Sequence, residues 1–246
     1  MQKFKKIYRS NYTGESVVVN ATLSSNEWET EHEHVPNSVS NTYTTAQAVA
    51  IGNGESRLGL DLALIGRHQG GLFGTNRLQS YGCNALYRDF TPDFLVAVGP
   101  AIIKEIADSA YTNDHIVYTN GTSVLDYPGK FYLLPQNLHF DAGALAAYMA
   151  CFDGHKKVFL LGYDSYMQPG PVNNVYKDTN GYAPSGNIEN KEYITNTLSA
   201  IMETYSEVEF VRVMPTAGYW VADAFANLPN FRQISFRDFV IEADLG

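Results

Sequence analysis

Five short runs of almost unbroken apolar residues constrain this chain more than any other feature: residues 48–51, 94–98, 115–119, 131–134 and 158–161. A strand with one wet face alternates apolar and polar residues. Near-continuous runs belong to strands covered on both faces, as in a parallel sheet sandwiched between helices. Helical patterns stand between and after them. One spans residues 101–109. Another is capped by Asp141 and runs through Ala144, Leu145, Tyr148 and Met149 to a stop at Gly154. A long amphipathic one sets Ile194, Leu198, Ile201, Met202 and Tyr205 on a single stripe. Residues 208–213 then alternate as in a half-exposed strand. This β/α alternation predicts an α/β fold with a doubly wound, mainly parallel, Rossmann-like sheet.

At 246 residues and 45% hydrophobic content, the chain can bury a substantial core. Its formal charge of -9 argues against nucleic acid as a partner, since a phosphate backbone needs a basic face. Lys3, Lys5, Lys6 and Arg9 form the one basic cluster. Cys83 and Cys151 sit among apolar or small residues and read as reduced, buried thiols rather than a disulfide or metal pair. The first ten residues lack the apolar stretch of a signal peptide, and no window is long enough to span a membrane. The expectation is a cytoplasmic protein.

Residues 1–45 differ from the rest and read as an N-terminal strand and arm packed on the main domain, with a β-like run at residues 16–20. Within them Glu29, Glu31 and Glu33 alternate with Thr30, His32 and His34. Histidines at that spacing can ligate a metal, but the pattern suits a solvated edge better, and no metal is expected. Residues 46–246 read as the Rossmann-like domain. Inside it, residues 168–187 are rich in Gly, Pro, Asn and Tyr and follow a core strand directly, which predicts a lid loop.

Three strand ends carry the candidate chemistry. Gly52-Asn53-Gly54-Glu55-Ser56 turns sharply out of the first apolar run. Glycines there let backbone amides approach a phosphate, and a following helix would point its positive end at it; an ordinary tight turn is the alternative. Cys83-Asn84 closes a second strand, and Gly162-Tyr163-Asp164-Ser165-Tyr166 a third. Ligands of open α/β sheets collect at the carboxyl ends of strands, so these three segments are expected to converge.

The order Gly52-Asn53-Gly54-x-Ser56, Cys83-Asn84, Gly162-x-Asp164-x-Tyr166 resembles the Rossmann-like bacterial sialyltransferases that depend on CMP-sialic acid. It is also similar to the MptE-like 6-hydroxymethylpterin diphosphokinase superfamily, through the Asn-Gly-x-Ser turn and Pro92-Asp93-Phe94-Leu95-Val96. Residues 82–98 resemble uncharacterised proteins of tailed bacteriophages. The sialyltransferase resemblance implies a nucleotide-binding transferase acting on a CMP-activated sugar in a bacterial or phage-infected cell. Gly52, Asn53, Gly54 and Ser56 would hold the phosphate, Asn84 the sugar or ribose, and Gly162 with Gly143 the nucleotide pocket. Asp164, Tyr166 and a lid tyrosine, Tyr176 or Tyr182, would carry the chemistry, the phenols stabilising the departing phosphate without a metal. No cofactor is implied on this reading; the diphosphokinase alternative would use ATP and Mg²⁺.

The departures from that family are specific. No histidine follows His155, so the family's lid base is missing. His139 and Ala142 stand where an Arg and a Ser are expected, and Gly99 where an Asn or Asp is expected. Asp141, Asp164, Asp178, Glu189 and His139 remain as candidate bases. These gaps keep open a degenerate phage structural or interaction protein on the same fold, with a homo-oligomer or a virion component as its partner.

Overall fold

Polar alternation in the first 36 residues and continuous apolar runs beyond residue 46 fold into two different sheets. The computed structural model describes residues 2–10, 15–24 and 27–36 as backbone strands, together with residues 47–70, 77–135, 139–164, 174–184 and 191–246. Strands β1 (Gln2–Ser10), β2 (Glu15–Ser24) and β3 (Glu27–Pro36) pair antiparallel in the order β1-β2-β3. Where one short β-like run was expected at residues 16–20, a three-stranded meander stands. The Glu/His alternation read as suiting an edge falls on β3, an outer strand of this sheet.

The main sheet holds eight strands: β4 (Gln47–Ile51), β5 (Gln79–Cys83), β6 (Phe94–Val96), β7 (Ile116–Thr119), β8 (Tyr132–Leu133), β9 (Lys157–Leu161), β10 (Glu209–Met214) and β11 (Phe231–Ser235). Their order is β11-β10-β9-β4-β5-β6-β7-β8, and every neighbouring pair is parallel. The helices are α1 (Ala63–Gly66), α2 (Pro100–Asp108), α3 (Tyr111–Asp114), α4 (Gly121–Asp126), α5 (Ala142–Phe152), α6 (Lys191–Thr204), α7 (Asp223–Ala226) and α8 (Phe236–Glu242). The α/β, doubly wound architecture read from the sequence is therefore present.

Helix α5 shows why the core sits where it does. Asp141 caps it by accepting the Ala144 amide at 3.0 Å, and every residue except Gly143 is buried. Five alanines let it lie close against β4 and β5. Strand β10 corrects the alternation reading. It lies between β9 and β11, so residues 210–214 are all buried, Arg212 among them at 1% exposure. Strand β11 and helix α8 had no counterpart in the sequence reading. Among the described residues no helix is long and apolar enough to cross a membrane.

At the amino end of the sheet, Tyr81, Asp153, His155 and Gln79 form a buried polar cluster. The Tyr81 hydroxyl donates to Asp153 Oδ2 at 2.7 Å, and His155 Nε2 lies 3.0 Å from Gln79 Oε1. It ties the end of α5 to the start of β5, on the side of the sheet away from the strand ends considered next.

Candidate functional site

The chain winds outward from β4 through β5, β6, β7 and β8, then returns to place β9 on the other flank of β4. The order of strands reverses between β4 and β9, and a crevice opens beyond their carboxyl ends. There the two backbones run almost in contact. Gly52 N donates to Leu161 O at 2.8 Å and Gly54 N to Gly162 O at 2.9 Å. A Cβ on Gly52 would stand 2.5 Å from Gly162 O, and one on Gly54 2.5 Å from Asp164 Cγ. Gly162 adopts φ +72, which a side chain resists.

These contacts change the role expected of the glycines. They allow close packing of two chain segments, and the Gly52 and Gly54 amides meant for a phosphate already serve carbonyls of β9 and its exit. The Ser56 amide is engaged too, donating to Asp164 Oδ2 at 3.0 Å. The helix expected after the turn is a five-residue 3-10 turn, Glu55–Gly59, too short to carry much dipole. Asp164 closes its amino end.

The crevice narrows to a cleft of about 170 Å³. Gly52, Asn53, Gly54, Asn84, Gly143, Gly162 and Asp164 all line it, so the segments expected to converge do meet. Asn84 and Asp164 reach it from the exits of β5 and β9. Ser56 and Tyr176 are outside the lining, and Tyr166 falls outside the described residues.

Asn53 is the most telling side chain. It is 7% exposed, and its Nδ2 donates to Cys83 O and to Tyr182 Oη, both at 3.2 Å. Its Oδ1 is buried and has no partner among the described residues. An acceptor left unmatched at such burial costs about 1–3 kcal/mol, a cost that a donor entering the cleft would relieve. Asp164 Oδ1 is unmatched in the same way. Asn84 takes a left-handed turn, φ 45, and its Oδ1 accepts the Val98 amide at 3.1 Å. Its Nδ2 is the group it can offer a ligand.

Opposite stands Asp141, whose Oδ1 accepts from Ala144 N and whose Oδ2 accepts from Thr197 Oγ1 at 3.1 Å. Burial pushes its carboxyl above the ordinary range, against the lowering effect of these hydrogen bonds. Of the five candidate bases, Asp141 and Asp164 line the cleft. His139 and Asp178 are exposed away from it, and Glu189 falls outside the described residues. The Cys83 thiol also lines the cleft, but burial pushes it up to about 12, so it stays a neutral thiol.

Within the expected lid, residues 174–184 fold down over the cleft. Val175 N donates to Asn53 O at 2.8 Å, and Gly54 bridges antiparallel to Asn174. Around its rim Lys177 pairs with Glu55, and Arg88 holds Thr179, Asn180 and Glu105. This closure keeps the cleft smaller than the roughly 300–1,000 Å³ of ordinary ligand pockets. The two lid tyrosines part company. Tyr176 is committed elsewhere, donating to Asp89 and accepting from Arg57 Nη2 at 2.8 Å. Tyr182 lines the cleft and accepts from Asn53 Nδ2 and from the Ala85 amide, which leaves its own hydroxyl hydrogen to donate. Burial raises it to about 12, so it is a phenol at neutral pH.

Two buried arginines behind the cleft were not foreseen. Arg57, 3% exposed, lies with its Cδ 3.2 Å from where a Cβ on Gly162 would sit, and pairs with Asp89. Arg212 donates from Nε to Tyr163 O at 2.9 Å and from Nη1 to Trp220 O at 2.8 Å. Burial lowers it to about 10, opposed by the field of Asp164. Nothing in the local pattern marks Arg212, because its neighbours Val211 and Val213 fit an exposed polar position equally well. Among the described residues no three His, Cys, Asp or Glu side chains come together as metal ligands.

Fold and cleft define a Rossmann-like α/β protein with a polar crevice at its topological switch point. No family model matches the chain, and no curated protein matches it. Solved structures similar to it include two of the sialyltransferase CstII from Campylobacter jejuni. One, with the substrate analogue CMP-3FNeuAc, superposes with a TM-score of 0.45 at 15% identity, over 76% of this chain and 87% of that chain. The other, with cytidine-5'-monophosphate, gives 0.43 at 13% identity, over 75% and 85%. The likeness is one of chain path.

Proposed function

We propose that the cleft binds a nucleotide-activated sugar and that the chain is a sialyltransferase-type transferase with a CMP-sugar as donor. The observation that carries this reading is the unmatched Asn53 Oδ1 in the wall of a switch-point cleft. It calls for a ligand bearing a hydroxyl or an exocyclic amine, and cytidine and its sugars bear both. Asn84 Nδ2 supplies a donor beside it.

The chemistry follows from the two faces of the cleft. The acceptor hydroxyl oxygen bonds to the sugar's anomeric carbon as the carbon–oxygen bond to the phosphate breaks. The bonding pair leaves with CMP, and the hydroxyl proton passes to Asp141. A carboxylate whose proton affinity is raised by burial is a stronger base than one in water. The Tyr182 phenol donates to the oxygen that gains charge, the role assigned above to a lid tyrosine. Donor entry requires residues 174–184 to lift, since the closed cleft is too small for a nucleotide sugar.

Titration calorimetry of the full chain with CMP, cytidine, and ATP plus Mg²⁺ tests the reading. Binding of CMP and cytidine without metal is the expected result. Tight ATP–Mg²⁺ binding with no response to CMP would replace it with diphosphate transfer. A second reading, ligand binding without turnover, draws on Asp164 and Tyr176, both engaged in holding the fold together. Release of CMP from a CMP-sugar in the presence of acceptor, above the uncatalysed rate, decides against it.

A further inference from the structure

The end of β10 and the loop after it, residues 213–222, carry no charged side chain. Residues 215–220 are all exposed, and two of them are large aromatics, Tyr219 at 40% and Trp220 at 37%. A loop that buries none of its own side chains is ordinarily loose, yet this one is pinned from below. Tyr219 N donates to Thr216 O at 3.4 Å, closing a turn. Gln233 Nε2, on β11, donates to Ala217 O at 2.9 Å and to Tyr219 O at 2.8 Å. The buried Arg212 donates from Nη1 to Trp220 O at 2.8 Å and to Gln233 Oε1 at 3.2 Å. Two side chains of the sheet thus hold three carbonyls of the loop, while both rings meet solvent.

This loop stands one strand beyond the cleft. Strand β10 pairs with β9, and Arg212 Nε donates to Tyr163 O at 2.9 Å. Tyr163 precedes Asp164 in the cleft wall, and its hydroxyl donates to Gly143 O at 2.7 Å, two residues from Asp141. Asn53 and Asn84 lie on the opposite flank, at the exits of β4 and β5. Between the flanks is Asp164, whose Oδ1 has no partner among the described residues and suits a hydroxyl. We infer that Tyr219 and Trp220 form a platform for the acceptor, and that the acceptor is a neutral saccharide whose pyranose ring lays its C–H face on them. Aromatic faces cover such apolar ring surface, and an uncharged loop offers no ion pair to a charged ligand. At this exposure the two side chains present under roughly 200 Å², against about 800 Å² per partner in a stable protein contact, so one or two sugar rings fit and a protein does not. A backbone already fixed lowers the ordering cost of binding. Naming the saccharide an acceptor rests on the transferase reading of the cleft; the platform itself does not.

Saturation-transfer-difference NMR on the full chain tests it, with the neutral disaccharides lactose and cellobiose as probes. Transfer to the C–H protons of one ring face is expected. Affinity should fall at least ~10-fold in Trp220→Ala and in Tyr219→Ala and be largely kept in Trp220→Phe. Thermal melts of all three should match the wild type, since the rings are exposed. No transfer from the wild type at about 10 mM sugar overturns the inference, as do alanine variants that bind as the wild type does. Calorimetry with CMP on the same proteins reads the cleft separately. CMP binding without sugar binding sinks the platform alone. Sugar binding that depends on Trp220 in a chain that ignores CMP sustains the platform and sinks the transferase reading. A Trp220→Ala chain that loses CMP but keeps the sugars gives the rings to the donor's base and overturns the inference.

Discussion

The backbone of Gly52 lies against that of Gly162, each closer to the other's carbonyl than any side chain would allow: a Cβ on Gly52 would sit 2.5 Å from Gly162 O, and one on Gly162 2.7 Å from Gly52 O. This contact closes the crevice floor between β4 and β9, and everything that lines the cleft is placed relative to it. Gly162→Ala combines that clash with a left-handed φ, and the expected loss is roughly 2–4 kcal/mol from the two effects together. Gly218→Ala, with nothing within 4 Å of the added carbon, serves as the comparison and should change stability little. Urea denaturation of both variants checks this; equal midpoints would refute the packing role.

Asn53 separates ligand affinity from stability. Asn53→Ala removes the Nδ2 bonds to Cys83 O and Tyr182 together with the unmatched Oδ1. Folding should weaken by about 1 kcal/mol, because the lost bonds are partly offset by removal of an unmet acceptor. Cytidine and CMP affinity should fall ~10-fold or more. Unchanged calorimetric affinity in a folded variant would mean that the ligand lies elsewhere.

Tyr182→Phe keeps the ring and deletes the phenol hydrogen. Donors aimed at developing charge are worth about 10²–10³ in rate when removed singly, so turnover of a CMP-sugar should drop on that scale. CMP binding should stay within a few-fold, since the effect belongs to the transition state. Tyr176→Phe, by contrast, loosens the anchorage to Asp89 and Arg57 and should show first in stability. Steady-state kinetics and thermal melts distinguish the pair; a Tyr182→Phe enzyme with full turnover would remove the phenol from the mechanism.

Asp141 makes a statement about pH. Its folded-state carboxyl binds a proton more tightly than in the unfolded chain, chiefly through burial. The folded state therefore holds more protons between the two values, and stability falls as pH rises through that window, from the ordinary carboxylate value up to the raised one. Asp141→Asn retains a side-chain acceptor for the Ala144 amide and should flatten this slope with little cost to α5. If Asp141 is the base, transfer should rise with pH through its raised value in the wild type and fall at least ~10²-fold in the variant. A pH–rate profile unchanged by the substitution would shift the role to Asp164.

The sheet was legible because its evidence is local. Residues 48–51 and 158–161 are apolar on both sides of the chain, and only a strand covered by helices on both faces uses such a run. Strand β8 falls inside the expected run 131–134, whereas edge strand β11 was harder, since Phe231–Ser235 is half polar and its place is set by pairing with β10 rather than by its own pattern. Asn53, Asn84 and Asp164 were legible as strand-end groups, whereas what each does was not. Asp164 Oδ2 is taken by an amide 108 residues away, and Tyr176 by a carboxylate 87 residues away.

Apolar periodicity alone determined that this chain forms a parallel α/β sheet and that its glycine-bearing strand ends gather at one edge, because burial of short runs is decided within a few residues of the chain. Tertiary structure decided which polar atoms at that edge remain unmatched. Hydrogen bonds between segments far apart in sequence engage the Gly52, Gly54 and Ser56 amides and leave Asn53 Oδ1 without a partner among the described residues, and no local pattern records how such distant groups pair.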